Sequence, residues 1–105
     1  MTDYEREILA KAKAAVLAVE PTAEIILFGS RSRGDANEES DFDLLVLTER
    51  DPVIDVRMEF WDALLEVNFQ TGELLEPIVI SKNRWLTDDP PSPLMDSVRE
   101  EGIPV

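Results

Sequence analysis

Apolar positions recur at two different periods along this 105-residue chain, and the switches between them predict its elements. Ile8, Leu9, Ala12, Val16 and Val19 fall at helical spacing. They follow Thr2-Asp3-Tyr4-Glu5, a capping box in which Glu5 stands three residues after Thr2. Pro21 stops that helix. "EIILF", Glu24 to Phe28, is a short apolar run that predicts a buried strand, and Gly29-Ser30 turns the chain after it. "DFDLLVL", Asp41 to Leu47, predicts a second strand. Asp51-Pro52 predicts an N-cap and a first helical residue. The stripe of that helix is Val53, Val56, Phe60, Leu64 and Val67, with Trp61 and Leu65 beside it, and Gly72 ends it. "LLEPIVI", Leu74 to Ile80, predicts a third strand, at an edge or with a bulge because Pro77 cannot donate to a ladder.

The last quarter predicts smaller pieces. Ser81 and Trp85 start a short helix, and Asp88 to Pro93 is a turn-rich loop. Ser92-Pro93 opens a final helix that Gly102 closes, and the terminal "IPV" adds an edge strand. The order helix, strand, strand, helix, strand predicts a mixed α/β domain around a small sheet flanked by helices. The length predicts one domain over residues 1–105. Trp85, Leu94, Met95, Val98 and Ile103 are apolar positions of residues 81–105 that serve either the core or a partner-contacting extension.

Composition narrows the chemistry. There are no cysteines and no histidines, so thiolate chemistry, imidazole bases and imidazole metal ligands are excluded. Acid–base or metal work must use carboxylates. Lack of cysteine suits a reducing cytoplasm, and no apolar run long enough to span a membrane and no signal peptide is seen. The net charge of −13 opposes direct nucleic-acid binding and favours a basic protein partner or metal ions.

The candidate chemistry lies between Phe28 and Val46, "FGSRSRGDANEESDFDLLV". Residues two apart in a strand share a face, so Asp41 and Asp43 point the same way. Strand rise sets their carboxylates roughly 6–7 Å apart. At an effective dielectric near 20 that repulsion costs about 2–3 kcal/mol. A divalent cation reverses its sign, and oxygen-only ligands select Mg²⁺ or Mn²⁺. The plainer alternative is an acidic, solvated strand end. Gly29 lets backbone approach a ligand closely, and turn amides with the Ser30 hydroxyl form a phosphate nest. Arg31 and Arg33 add forks that match phosphate oxygens, or else pair with surrounding acids at the surface. Together these features fit metal-assisted phosphoryl or nucleotidyl transfer. Rival motifs fail. There is no P-loop and no dinucleotide fingerprint. "DANEESD" imitates half an EF-hand loop, but Ser40 stands where glycine is required and Val46 where the closing glutamate is.

Gly-Ser, ten residues, then Asp-x-Asp in an apolar strand resembles the minimal nucleotidyltransferase family of the DNA polymerase beta-like superfamily. "GSRSRG" and "SDFDLLV" carry the resemblance. It implies the nucleotidyltransferase fold, with Asp41 and Asp43 holding catalytic metals and Gly29 and Ser30 holding the triphosphate of ATP. Arg33 is implied to support the phosphates or their loop. The superfamily's third carboxylate falls on Glu76, followed here by Pro77 where an apolar residue is usual, or on Glu73 nearer the turn. The resemblance further implies a helical HEPN-class toxin as partner, AMP transfer to a tyrosine on it, and a role as antitoxin, alone or in an oligomer. Two alternatives stay open: an antitoxin that acts by contact alone, and transfer to a small molecule.

Overall fold

The computed structural model describes residues 1–37, 39–87 and 89–105. Glu38, inside the polar run before the second strand, and Asp88, which begins the expected turn-rich loop, lie outside the described residues. In chain order the elements are α1 (Asp3–Val19), β1 (Glu24–Phe28), α2 (Ser30–Arg33), β2 (Phe42–Thr48), α3 (Ile54–Thr71), β3 (Leu75–Ser81), α4 (Lys82–Leu86), α5 (Pro93–Glu101) and β4 (Ile103–Pro104).

The strands form one mixed sheet in the order β3-β2-β1-β4. β1 is antiparallel to β2 and to β4, while β2 and β3 run parallel through the α3 crossover. The expectation of a small mixed sheet flanked by helices holds. β2 is central, and its "LLVL" stretch is buried on both faces. Leu44 and Val46 join Ile25, Leu27, Leu75 and Val79 against the stripes of α1 and α3. Leu45 and Leu47 turn the other way, with Ile26, Ile80, Trp85 and Val98. The sheet therefore has a thick layer of two long helices on one side and a thin layer of two short helices on the other. In the terminal segment Met95 and Val98 are buried, Trp85 and Ile103 partly so, and Leu94 is exposed.

Capping chemistry sets most boundaries as the sequence predicts. Thr2 and Glu5 close the capping box of α1, Ser81 caps α4, and Ser92 caps α5 with Pro93 in its first turn. The start of α3 differs. Asp51 does not cap it; Val53 holds the N-cap position without a side-chain bond. The Val53 amide donates to the Asp51 carbonyl at 2.8 Å, a tight turn that delays the helix, and the first helical bond runs from Arg57 to Val53.

The prolines sit where sheet geometry tolerates them. The Phe42 amide donates to the Leu74 carbonyl at 2.9 Å, so even-numbered residues of β3 turn their backbone groups toward β2. Pro77 is odd and lies on the edge strand, so its missing donor faces outward, and no bulge is needed. At the opposite edge the Val105 amide donates to the Ile25 carbonyl at 2.9 Å, which turns the nitrogen of Pro104 outward as well.

At the end of the sheet far from the Gly-Ser turn, Glu20 gathers β2 and α3. It accepts from the Thr48 hydroxyl at 2.6 Å, the Glu49 amide at 3.0 Å and Arg50 Nε at 2.9 Å, and Arg50 reaches on to Glu59 at 2.7 Å. Burial raises the Glu20 pKa, but these three donors outweigh it and leave the carboxyl below its ordinary value. Glu5 is lowered too, by the Thr2 backbone amide and hydroxyl and by Arg31. A depressed folded-state pKa contributes stability that is full above the unfolded value and is lost as pH falls through the folded one. Urea unfolding should therefore show stability declining as pH drops below the ordinary glutamate range, and Glu5→Gln/Glu20→Gln should flatten that decline.

Candidate active site

The site is assembled at the N-terminal end of β2. Asp41 ends the loop before that strand, and Asp43 is its second residue. Asp43 stands opposite Phe28 on β1 and beside Glu76 on β3. Neighbouring residues in register share a face, so Asp43 and Glu76 emerge together on the thin-layer side, beyond the part filled by Leu45 and Leu47. Both are half-buried. The pKa of Asp43 is raised, first by burial and then by the charge of Asp41, with Arg33 pulling the other way. Glu76 is raised by burial, by Asp41 and by Asp43. The three carboxylates thus lie in one another's field.

Gly29 joins the turn to these carboxylates. Its backbone, φ 76° and ψ −159°, occupies a region open essentially to glycine alone. A Cβ there would collide with Asp43 Oδ2 and stand 3.1 Å from its Cγ. The chain therefore runs directly against the Asp43 carboxylate. The Gly29 carbonyl accepts from the amides of Ser32 and Arg33 at 3.1 and 3.2 Å and from the Ser32 hydroxyl at 2.8 Å, which fixes the turn. Ser30 opens α2, a helical turn where the sequence predicts only a bend.

The two arginines have different fates. Arg33 is exposed and ion-paired with Asp35 at 3.2 Å and Glu101 at 3.3 Å, tying the loop to α5 while its charge reaches Asp43. Arg31 corrects the expectation of a phosphate fork. It is buried, donates to the Ser40 carbonyl from Nε at 3.1 Å and Nη2 at 2.8 Å, pairs with Glu5 at 3.2 Å, and lies 4.1 Å from the Phe42 ring centroid. Its fork is spent on protein, so it pins the residues on either side of Asp41 rather than meeting a ligand. Glu73 is committed as well, to Arg31 at 3.7 Å and to the Tyr4 hydroxyl. That leaves Glu76 as the third carboxylate at the site. The sequence reading missed this clamp. Its signal is Glu5, which extends the stripe of Ile8, Leu9 and Ala12 back by one turn; a carboxylate on a buried helix face calls for a cation.

The donor set suits a hard divalent cation: three carboxylates, each without a lysine or arginine ion-pair partner among the described residues. As the side chains stand, no group of three acidic residues among those described is set to hold a metal ion. The carboxylates are gathered but not closed, and side-chain rotation would have to bring them together. A groove of about 860 Å³ runs on the other side of α2, past Thr2, Tyr4, Arg31, Asn37 and Glu73. It contains none of the three carboxylates, and its buried guanidinium is already satisfied.

The turn at Gly29 is pressed against the carboxylate of Asp43, and Glu76 stands in register on the parallel neighbour, the placement expected of a nucleotidyltransferase. A family profile described as "Nucleotidyltransferase domain" matches residues 9–88, and the chain belongs to that family. A Methanocaldococcus jannaschii protein carrying the name "Putative protein adenylyltransferase" is 34% identical over 58 residues, which are 55% of this chain and 59% of that protein. The chain thus matches less than two thirds of that relative's length. A crystal structure described as "the toxin-antitoxin with AMP-PNP" superposes with a TM-score of 0.65 at 20% identity, over 90% of this chain and 69% of the other, and supports the same fold. No helix among the described residues is long and apolar enough to cross a membrane.

Four substitutions at three positions probe the local geometry. Gly29→Ala should cost about 1–3 kcal/mol for backbone strain alone, and more for the collision with Asp43. Gly34→Ala, also at positive φ but with open space around it, should cost clearly less. Urea melts of the two variants compare them. Arg31→Ala should cost about 3–5 kcal/mol by stranding Glu5 and Glu73, and Arg31→Lys should restore only part of that because a lysine cannot make the paired bonds to Ser40.

Proposed function

We propose that the chain is a Mg²⁺- or Mn²⁺-dependent nucleotidyltransferase that moves AMP from ATP to a hydroxyl of a protein partner, and that it acts as the antitoxin of a toxin–antitoxin pair whose toxin is a HEPN-class protein. The observation that carries the reading is the register of Asp43 beside Glu76, directly against the Gly29 backbone. The relative named as a protein adenylyltransferase favours a protein acceptor, and the AMP-PNP in the toxin–antitoxin structure favours an adenine nucleotide and a partner. A cysteine-free chain suits a reducing cytoplasm.

Asp41, Asp43 and Glu76 would hold the metal, which when bound supplies charge neutralisation at the triphosphate and lowers the pKa of the acceptor hydroxyl. The Gly29-Ser30 turn seats the phosphates, with Arg33 beside them. The acceptor oxygen forms a bond to the α-phosphorus as the bond to the pyrophosphate oxygen breaks. The acceptor proton passes to a carboxylate oxygen of Glu76, since the sequence holds no histidine to take it. Residues 1–105 act as one domain, with 81–105 adding contact to the partner through exposed Leu86 and Leu94. A second reading, neutralisation by contact alone, is favoured by one observation: the carboxylates are not closed on a common point.

One assay separates the two readings. The purified chain is incubated with Mg²⁺, ATP labelled at the α-phosphate and the protein encoded beside it. Label should appear on the partner, and Asp41→Asn/Asp43→Asn should reduce transfer by at least about 10³-fold. Neutralisation of the partner that survives this double substitution would establish the contact reading instead.

A further inference from the structure

α3 has two apolar faces, and only one meets the sheet. Phe60, Leu64 and Val67 are buried against β2, β3 and α1. At about 100° per residue, Ile54, Met58, Trp61, Leu65 and Phe69 form a second stripe within roughly 80° of arc. These side chains are 69, 46, 42, 47 and 77% exposed. The stripe is about 22 Å long, a continuous surface rather than scattered apolar residues.

The borders of the stripe are unlike one another. On one side run Asp55, Asp62 and Glu66, none of which has an ion-pair partner among the described residues; Glu59 lies on the same flank but is taken by Arg50. On the other side Arg57 donates to the Pro52 carbonyl at 2.6 Å, and Asn68 accepts from the Leu75 amide at 2.9 Å. One border is therefore acidic and unsatisfied, while the other is already engaged.

We propose that this face of α3 docks a helix of a partner protein that has its own apolar stripe and a row of lysines or arginines along one border. Charge complementarity selects that occupant. A second copy of the chain fits poorly: a two-fold axis across α3 lays each acidic border along its own counterpart, a parallel pairing offers it only Arg57 and Asn68, which are already engaged, and each copy carries a net charge of −13. The same charge opposes an anionic lipid surface. The inference rests on the proposed function only in supposing a protein partner. Its test uses neither ATP nor the carboxylate site, so either can fail without the other.

The probe is a pair of synthetic helical peptides with leucines at i, i+4, i+7, i+11 and i+15. One peptide carries lysines along one border and the other carries glutamates there. Calorimetric titration of the full chain should show the lysine peptide binding at least about tenfold more tightly, with the gap narrowing as salt is raised. Asp62→Lys/Glu66→Lys should reverse the preference. Met58→Glu/Leu65→Glu should abolish binding of both peptides while the thermal melt stays unchanged, since both positions are exposed. The proposal is overturned if neither peptide binds, if the preference ignores charge reversal, or if the chain sediments as a dimer that Met58→Glu/Leu65→Glu dissociates.

Discussion

The register of β2 is the constraint on which the rest of the molecule depends. Its alternate residues feed two separate apolar clusters, Leu44 and Val46 into one and Leu45 and Leu47 into the other. A slip of one residue would exchange the two sets. It would also carry Asp43 away from Glu76 and from the Gly29 turn. The apolar stretch of the strand therefore positions its acidic head, and burial of hydrocarbon sets the geometry of the polar site. Asp43 tolerates its place beside two other carboxylates because the packing of Leu44 to Leu47 leaves the strand no alternative.

The few cations of this acidic chain are used mainly as fasteners. Lysine and arginine number 10 against 23 acidic residues. Arg31 joins α1 to the loop ahead of Asp41, Arg50 joins the far ends of β2 and α3, and Lys82 donates to the Thr22 carbonyl at 2.6 Å. Such buried or bridging pairs hold segments whose own apolar content is small, notably the loop between β1 and β2. The Arg31 fork is therefore not available to phosphate, and under the proposed function a bound metal would be the counterion for a triphosphate.

Much of the fold was legible because hydrophobic period and capping residues agreed. The capping box at Thr2, Pro93 in the first turn of α5 and the continuous apolar run of β2 each state their element in a few residues. Asp51-Pro52 misled because a local amide-to-carbonyl turn at Val53 outcompeted the expected cap. The motif residues of the candidate site could be placed together from spacing alone. The clamp at Arg31 could not, since its partners Glu5, Ser40 and Glu73 are distant in sequence and only the fold brings them to one guanidinium. The sequence already favours Glu76 over Glu73, but the parallel register of β3 that sets Glu76 beside Asp43 is encoded in no local pattern.

The two prolines at the rims of the sheet limit how the domain can associate. Each outer strand, β3 and β4, turns a nitrogen without hydrogen toward solvent at Pro77 and Pro104. A foreign strand laid along either rim would meet a gap in the donor row. The sheet is thus finished at four strands. Growth by backbone pairing, the route to fibrils and to strand-donating partners, is disfavoured at both ends. Whatever joins this domain is left to read its side chains, where sequence can discriminate one partner from another.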